Sequence, residues 1–430
     1  MANVHIKPEL TVLDRIALMR NDAQFDVADS EAPQAAEEFI GKIRGGIKAP
    51  PGPATAPKVF LSNDCIFNCS YCGCRRRRDG KERYTNSPRE FAAISNEVAK
   101  ANGGKVFITS AICKNPDYTV ELIIESMRIL RRELGYRGYL HAKIMPGTDP
   151  ELIRQAGFYA NRLSVNIEVA KSEGYKIIAR EKNKANILGP MGNITRLIQA
   201  AEAERGATPF FATSQTTQLM AGSSGEDDYT VLNLSRALYK KYRLSRVYYT
   251  AFQYRGQADG YAERPEVHTP AWRMKRLYQA DRLMQLYGFT PADIAPDEAP
   301  NLVSDFDPKA AWALRNLHLF PIEVDTAEYE LLIRIPGIGI TYAKRILEAR
   351  RHCKITHDIL RQLGVSLKRS RHFLTAGGKF SGVRTGNANV FEALLRTPLD
   401  QADALSLDET GRPASEAPIF FSCQINGHTI

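Results

Sequence analysis

KVFLSNDCIFNCSYCGC, residues 58–74, joins an apolar run to four cysteines that fall within ten residues. The run over 58–63 is typical of a buried β-strand. Cys65, Cys69 and Cys72 follow it at spacings of four and three residues, so a single loop can bring three thiolates around a cubane [4Fe–4S] cluster. Three cysteine ligands leave one iron open to bind a further molecule.

A zinc site is the alternative interpretation of these cysteines, with Cys74 or a histidine as the fourth ligand. Zinc sites favour paired C-x-x-C spacings, and the chain has no second pair of this kind. Seven cysteines are present in all, at 65, 69, 72, 74, 113, 353 and 423. In a reducing compartment such crowding indicates metal ligation rather than a disulfide framework.

From residue 58 onward, apolar strands alternate with amphipathic helices. We predict strands over 58–63, 105–111, 139–145, 162–170, 209–220 and 246–254, with helices over 88–102, 120–134, 149–158, 194–204 and 228–242. Strand-then-helix units favour an α/β fold in which a parallel sheet closes or partly closes into a barrel. In the fourth strand Leu163, Val165, Ile167 and Val169 share the face toward the helices. Ser164, Asn166 and Glu168 point inward, as in a ligand cavity.

The cysteine loop resembles the radical S-adenosylmethionine superfamily, whose signature is C-x-x-x-C-x-x-C with an aromatic residue before the third cysteine. Cys65, Cys69, Tyr71 and Cys72 match it. The resemblance implies a [4Fe–4S] cluster whose open iron binds the amino and carboxylate groups of S-adenosylmethionine. A reductant such as flavodoxin or ferredoxin drives cleavage of the cofactor, and the 5′-deoxyadenosyl radical then abstracts hydrogen from a substrate.

Further cofactor contacts follow from the same resemblance. Ser110 stands where family members often carry G-G-E after the second strand, and Asn166 and Glu168 match positions that meet the ribose or the amino group. Arg180 lies in a loop where a basic residue commonly meets the carboxylate, and Gln218 begins the segment QLMAGSSGE, expected near adenine. Ordinary barrel packing and turns are the alternative for all of these positions.

Two features surround the expected active-site mouth. Cys113 lies just past the second strand, and we predict that it returns a hydrogen atom to a carbon radical, as a cysteine does in some radical enzymes that repair DNA photoproducts. The run Arg75, Arg76, Arg77 and Arg78 adjoins the cluster loop and could hold phosphates. A solvated loop is the alternative for the arginines, and Cys74 is expected to be a bystander.

The segment LLIRIPGIGITYAKRILEARR, residues 331–351, resembles a helix-hairpin-helix motif. Gly337 and Gly339 would allow the tight turn and expose its amides to a DNA phosphate, beside Lys344 and Arg345. A weaker copy follows over 362–366. Such contacts read the backbone, so DNA binding would be largely independent of sequence. A turn that only packs, or that contacts protein, is the alternative.

We divide the chain into a lead-in (1–57), a radical S-adenosylmethionine barrel (58–265), a helical connector (266–304), a small all-α helix-hairpin-helix domain (305–400) and a tail (401–430). A formal charge of +10 favours polyanionic partners. No apolar run approaches the roughly 20 residues that span a bilayer. We therefore expect a cytoplasmic protein without a membrane partner.

Together these signals resemble the DNA modification/repair radical S-adenosylmethionine proteins of bacteria, over roughly residues 1–400. The resemblance implies action on a base in DNA and, as a partner, a uracil-DNA-glycosylase-like protein. Two alternatives stay open: an enzyme that modifies RNA, above all tRNA, and a DNA-binding iron–sulfur sensor without turnover.

Overall fold

A computed structural model describes residues 56–76, 82–204, 210–252 and 269–383, together with the backbone of 424–425 and 428–429. Arg77, Arg78, Cys423, residues 1–55 of the lead-in and most of the tail lie outside the described residues. No helix in the described part of the chain is long and apolar enough to cross a membrane.

Six parallel strands form one curled sheet in the order in which they occur along the chain. They are β1 (Lys58–Phe60), β2 (Lys105–Thr109), β3 (Tyr139–Lys143), β4 (Arg162–Ser164), β5 (Ser214–Ala221) and β6 (Arg246–Ala251). Within this sheet β1 and β6 do not pair with each other, so the sheet is a half-barrel. The α/β half-barrel predicted from the sequence is confirmed.

Helices follow the strands and cover the outer face of the sheet. They are α1 (Pro88–Ala101), α2 (Pro116–Arg128), α3 (Pro150–Gly157), α4 (Glu173–Ile178), α5 (Lys184–Ala203) and α6 (Asp228–Tyr242), and α2 continues as a π-turn, Ile129–Glu133. Several begin at a side chain that accepts a backbone N–H of the first turn, as Ser87 does for α1 and Asp227 for α6. These caps fix where each helix leaves its loop.

Register identifies the two faces of the sheet. Val59, Ile108, Ala142, Leu163 and Gln215 form one row across five strands. Gln215 Nε2 donates to Met191 O of α5, so this row faces the helices. The alternate positions therefore face the interior of the half-barrel.

The fourth strand is shorter than predicted, because the side chain of Thr217 interrupts its ladder. Thr217 Oγ1 accepts from Ile167 N–H (2.9 Å) and donates to Val165 O (2.7 Å). Pairing resumes at Glu168, which has a left-handed backbone with φ of +63°. Leu163, Val165, Ile167 and Val169 are all buried, and so are Ser164 and Glu168, so burial does not separate the two predicted faces.

The prediction that no helix lies between the fourth strand and residue 194 is wrong. This stretch contains α4, and α5 begins at Lys184, ten residues earlier than predicted. A reciprocal capping box explains the early start: Asn183 accepts from Asn186 N–H while the Asn186 side chain accepts from Asn183 N–H.

The connector contains α7 (Ala271–Leu286) and α8 (Pro291–Ile294), and α9 (Pro308–Arg315) follows. α7 packs on α6, and Tyr278 Oη both accepts from Tyr249 N–H and donates to Tyr249 O at the β6 edge. The chain after 294 is held to α6 by Asp228, whose Oδ2 accepts from Leu302 N–H (2.8 Å).

The expectation of helices alone beyond residue 305 misses a small sheet of β7 (Ile322–Glu323), β8 (Leu374–Ala376) and β9 (Lys379–Phe380). Strands of two or three residues leave no period-two pattern to read. Two further strands, β10 (Gln424–Ile425) and β11 (His428–Thr429), pair antiparallel.

Two pairs of short helices fill the region between β7 and β8. The first pair is α10 (Tyr329–Leu332) and α11 (Ile340–Ala349), and the second pair is α12 (His357–Gln362) and α13 (Leu367–Ser370). Each pair is joined by a turn that holds a glycine at positive φ, Gly337 (+87°) and Gly364 (+88°).

Each glycine turn packs against the second helix of the other pair. A Cβ on Gly337 would lie 3.2 Å from Ser370 Cβ, and one on Gly364 would lie 3.3 Å from the Tyr342 ring. Arg345 Nη1 donates to Leu363 O (3.1 Å) across the same contact. The two pairs therefore form one reciprocal unit.

Candidate active site

The cysteine loop leaves β1 and lies across the carboxyl ends of the neighbouring strands. Ile66 N–H donates to Ile112 O (2.9 Å), just beyond β2, and Ser70 N–H donates to Ile178 O (2.9 Å), at the end of α4. Asn68 N–H donates to Glu181 Oε1 (3.1 Å). The loop is thus fixed by segments that follow two different strands.

Arg83 holds the far end of the cysteine loop. Its Nη1 donates to Asn63 O (2.6 Å) and Cys74 O (3.0 Å), and its Nη2 donates to Arg75 O (2.6 Å). These bonds join the two ends of the loop through a side chain that the sequence interpretation did not use.

Backbone N–H groups are directed at the cysteine sulfurs. Phe67 N–H donates to Cys65 Sγ (3.4 Å), and Cys74 N–H donates to Cys72 Sγ (3.4 Å). Burial raises the pKa of the Cys65 thiol to about 11 and that of Cys69 further. A hydrogen bond from the Cys74 side chain, opposed by burial and supported by the Cys74 backbone, lowers the pKa of Cys72 to about 6.

The three thiols fit a cubane cluster by their donor chemistry. Each lies close enough to another of the three to perturb its pKa, and N–H donors already point at two of them. Among the described residues, no group of three or more His, Cys, Asp or Glu side chains converges to hold a single metal ion. A cubane makes no such demand, because each thiolate binds a different iron at a different corner.

Lys182 is the buried cation of the site. Its Nζ donates to Glu168 Oε1 (2.7 Å) and to Tyr71 Oη (2.9 Å), with the Lys182 side chain 11% exposed and that of Glu168 3%. Burial lowers the pKa of Lys182, but the Glu168 carboxylate and the sulfurs of Cys69 and Cys72 raise it more, so the net shift is upward. Lys182 therefore stays charged beside the cluster thiols.

Two of the buried acceptor atoms without a hydrogen-bond partner in the described structure belong to neighbouring residues. They are Glu168 Oε2, in the segment after β4, and Gln218 Oε1 of β5, and Glu168 N–H donates to Gln218 O (3.0 Å). A buried acceptor without a donor is costly, by about 1–3 kcal/mol. The ammonium and ribose hydroxyls of S-adenosylmethionine are donors, so the residues present fit that cofactor.

The other residues predicted to contact the cofactor are placed differently. Ser110 is buried and its Oγ donates to Ala111 O (2.6 Å), whereas Asn166 is half-buried beside Glu168. Arg180 is exposed and its Nε donates to Lys176 O (3.4 Å). Lys182, two residues on, is the cation that the structure places against Glu168. Sequence reasoning missed it because spacing alone does not show which of two basic residues in a loop turns inward.

Cys113 is buried next to the cysteine loop. Its N–H donates to Thr119 Oγ1 (2.9 Å), and its Sγ donates to Ala111 O (3.8 Å). The preceding residue, Ile112, accepts a hydrogen bond from Ile66 N–H of the cysteine loop.

Arg75 and Arg76, the two arginines of the run that the structure describes, have different surroundings. Arg75 is half-buried and its Nη1 donates to Ser70 O (3.0 Å), so it braces the cysteine loop. Arg76 is exposed, and its N–H donates to Phe67 O.

The residues of the first helix pair that were predicted to bind nucleic acid also differ in their surroundings. Gly337 and Lys344 are exposed, whereas Arg345 bonds to Leu363 O. Gly339 is half-buried, and a Cβ there would lie 3.3 Å from Tyr287 Oη. Tyr287 Oη also accepts from the Ile340 N–H. One amide of this turn is therefore already bonded to the connector.

Comparison with protein families and with curated proteins gave no match. Among solved structures the chain is similar to the FeFe-hydrogenase maturase HydG from Carboxydothermus hydrogenoformans (15% identity, 64% of this chain and 69% of that chain, TM-score 0.41). It is also similar to methylornithine synthase, PylB (15% identity, 57% and 65%, TM-score 0.37), and to a second HydG structure (11% identity, 83% and 93%, TM-score 0.39).

TM-scores of this size do not carry an assignment, so the site is interpreted from the residues of this chain.

Proposed function

We propose that this protein is a radical S-adenosylmethionine enzyme. The observation that carries the proposal is the convergence of Cys65, Cys69 and Cys72 with the Lys182–Glu168 pair at the carboxyl ends of the parallel strands. Ligand sites of parallel α/β sheets lie at this end. The cluster, when bound, supplies the electron that cleaves S-adenosylmethionine, and the protein's residues hold and orient the reactants.

The residues of the chain have separate tasks in this proposal. Cys65, Cys69 and Cys72 bind the cluster, and Cys74 donates a hydrogen bond to the Cys72 sulfur. Glu168 and Gln218 accept hydrogen bonds from the cofactor's ammonium and ribose hydroxyls through their unpartnered oxygens. Lys182 pairs with Glu168 and offers positive charge to the cofactor's carboxylate.

We further propose that the substrate is a base in DNA. The support is the glycine turn at Gly337 with exposed Lys344, the exposed Lys368 and Arg371 of the second helix pair, and the formal charge of +10. A base inside a duplex must leave the stack to reach a site within a half-barrel. A uracil-DNA-glycosylase-like partner fits this proposal by supplying or processing the altered base.

The test is anaerobic reconstitution with iron and sulfide, followed by dithionite and S-adenosylmethionine. 5′-Deoxyadenosine is measured without nucleic acid and with duplex DNA, single-stranded DNA or tRNA. Formation that DNA stimulates more than tRNA supports both parts of the proposal. Greater stimulation by tRNA would favour RNA modification instead. Absence of 5′-deoxyadenosine from protein with a full cluster would favour the iron–sulfur sensor.

A further inference from the structure

A buried lysine lies behind the glycine turn of the first helix pair. Lys309, in the first turn of α9, is 8% exposed, and its Nζ donates to Ile338 O. Ile338 stands between the two glycines of that turn. The same Nζ lies 5.0 Å from the centroid of the Tyr287 ring. Lysine is almost never buried to this extent unless it is paired, so the partners of the ammonium indicate its role.

The carboxylate closest to Lys309 in the chain is engaged elsewhere. Asp307 Oδ2 accepts from Arg369 Nη2 of α13 (2.7 Å), and no carboxylate of the described residues forms an ion pair with Lys309. Burial, opposed by Asp307 and aided by Arg369, lowers the pKa of Lys309 to about 7. Arg276 of α7 lies near the same pair: burial lowers its pKa, Asp307 raises it and Arg369 lowers it. The hydrogen-bond partner of the ammonium is therefore the turn itself.

The bond from Lys309 sets the direction of one amide of the turn. Ile338 O and Gly339 N–H belong to the same trans peptide plane, in which the oxygen and the hydrogen lie on opposite sides. Because the carbonyl is directed at the buried ammonium, the Gly339 N–H is directed away from it. Within the described structure no protein group accepts a hydrogen bond from this N–H. Lys309 thus orients a donor that the protein itself leaves unused.

The same turn begins α11. Gly339 is the N-cap residue of this helix and has no side chain to cap it. The first amides of a helix lack partners within the helix and favour an anion. One of them, Ile340 N–H, already donates to Tyr287 Oη. An anion at the remaining amides would have the Lys309 ammonium behind it, across one peptide group in a region where salt screens charges weakly.

We infer that Lys309 is a positioning residue for a DNA phosphate: its buried ammonium holds the Gly339 amide outward and adds positive charge behind that amide. The inference rests on the proposed function for its ligand. Lys309 makes no contact with the DNA, which distinguishes it from the exposed Lys344. A phosphate in front of the turn stabilises the charged form of Lys309 and so raises its pKa, and binding therefore takes up a proton above pH 7. Affinity should fall as the pH rises.

The test is the affinity of the full-length, cluster-loaded protein for one DNA duplex between pH 6 and 9. Fluorescence anisotropy at constant ionic strength measures it. Lys309→Met removes the charge at similar side-chain length. The comparison variants are Lys344→Gln, which removes an exposed cation of α11, and Lys184→Gln, which removes one of α5. Histidines titrate in all of these proteins, so only the differences between them are assigned to Lys309.

We expect the affinity of the unaltered protein to fall about tenfold more over this range than that of Lys309→Met. Lys344→Gln should weaken binding at every pH and keep the full fall, because its charge is retained over the whole range. Lys184→Gln should change neither quantity. A fall of the same size in Lys309→Met and in the unaltered protein would overturn the inference while leaving the proposed DNA substrate intact.

Calorimetry of the unaltered protein gives a second measurement that does not depend on how a variant folds. Enthalpies of DNA binding at pH 8 in HEPES and in Tris, which differ in ionisation enthalpy, give the protons taken up. We expect net uptake in the unaltered protein and less in Lys309→Met, whereas no uptake would overturn the inference. Absence of DNA binding at every pH would overturn both the inference and the proposed DNA substrate. 5′-Deoxyadenosine formation without nucleic acid judges the radical chemistry separately.

Discussion

Lys182 and Glu168 form a buried ion pair, with Nζ and Oε1 2.7 Å apart, although fourteen residues separate them in the chain. Glu168 adopts a left-handed backbone, which is rare for a residue with a side chain and costs of order 1–3 kcal/mol. This backbone strain occurs at the residue whose carboxylate pairs with Lys182 beside the cluster thiols.

Removing one member of this pair should be more harmful than removing both. Lys182→Met leaves Glu168 buried without its cation, so we expect a loss of about 3–5 kcal/mol in the free energy of unfolding. Adding Glu168→Gln to Lys182→Met should recover part of that loss. Urea denaturation of the apoprotein measures both. Lys100→Met, which breaks an exposed pair with Glu97, should change stability by less than about 1 kcal/mol; an equal effect would contradict the special role of Lys182.

Cys74 should tune the cluster without holding it. Its side chain donates to the Cys72 sulfur, and hydrogen bonds to sulfur raise the reduction potential of a cluster. Cys74→Ala should therefore keep full iron and sulfide content and lower the potential measured by redox titration, with Cys74→Ser shifting it less. Cys72→Ala, the contrasting variant, should lose the cluster. If Cys74→Ala also loses iron, Cys74 is a ligand.

Cys113 should affect the outcome of the reaction rather than its start. It lies beside the cysteine loop and its Sγ donates to the backbone oxygen of Ala111, so removing the thiol should leave the proposed cofactor contacts intact. Cys113→Ala should form 5′-deoxyadenosine as the unaltered protein does while changing the distribution of products. Chromatography of the treated DNA measures this change. Identical products from Cys113→Ala and the unaltered protein would remove Cys113 from the chemistry.

Exposed cations of the two helix pairs should set the affinity for DNA. Lys344, Lys368 and Arg371 are exposed, so each Gln substitution that removes a phosphate contact should reduce the slope of log affinity against log salt by about one. Fluorescence anisotropy with duplex and single-stranded DNA measures the slope. Lys184→Gln, an exposed cation at the start of α5, is the control. Unchanged slopes in all three variants would show that these helix pairs contact something other than DNA.

The contact between the two helix pairs offers a separate structural control. Arg345→Gln removes the bond to Leu363 O that joins the two pairs, so it should lower thermal stability more than it alters the salt dependence. A large change in the salt slope with unaltered stability would instead make Arg345 a phosphate contact.

Asp281 should make stability depend on pH. Burial raises its pKa to about 6, against the hydrogen bonds from Tyr239 Oη (3.0 Å) and Tyr249 Oη (3.1 Å) that lower it. Because the folded state holds this proton more tightly than the unfolded chain, its contribution is full below about pH 4 and is lost as pH rises to about 6. The change amounts to at most about 3 kcal/mol.

Urea denaturation between pH 4 and 6.5 tests the Asp281 prediction. Asp281→Asn should flatten the fall in unfolding free energy over this range. Asp358→Asn removes an exposed carboxyl group and should leave the fall unchanged. Parallel curves for the unaltered protein and Asp281→Asn would contradict the assignment.

Strand order and the cysteine loop could be predicted because both depend on local signals: apolar runs separated by polar helices, and ligand spacing within one loop. The bond from Thr217 to Val165 could not be predicted, because it joins residues fifty-two positions apart in the chain. This bond decides where β4 ends. The same limit applies to Lys182. Its neighbour Arg180 carries the same charge, and only the three-dimensional course of the loop separates them.

The glycine turns show a further limit of this kind. Gly337 and Gly339 indicate a tight turn from sequence, but the bond between Tyr287 and the Ile340 amide comes from the connector. Which amides stay available to a ligand is thus decided by a helix outside the motif.

The reciprocal packing of the two helix pairs has a consequence for how this region opens. Gly337 lies against Ser370 of the second pair, and Gly364 lies against Tyr342 of the first. Neither pair can therefore detach without breaking contacts that the other pair makes. Amide hydrogens in α11 and α12 should exchange with solvent as a single cooperative block with one opening free energy, rather than as two independent units.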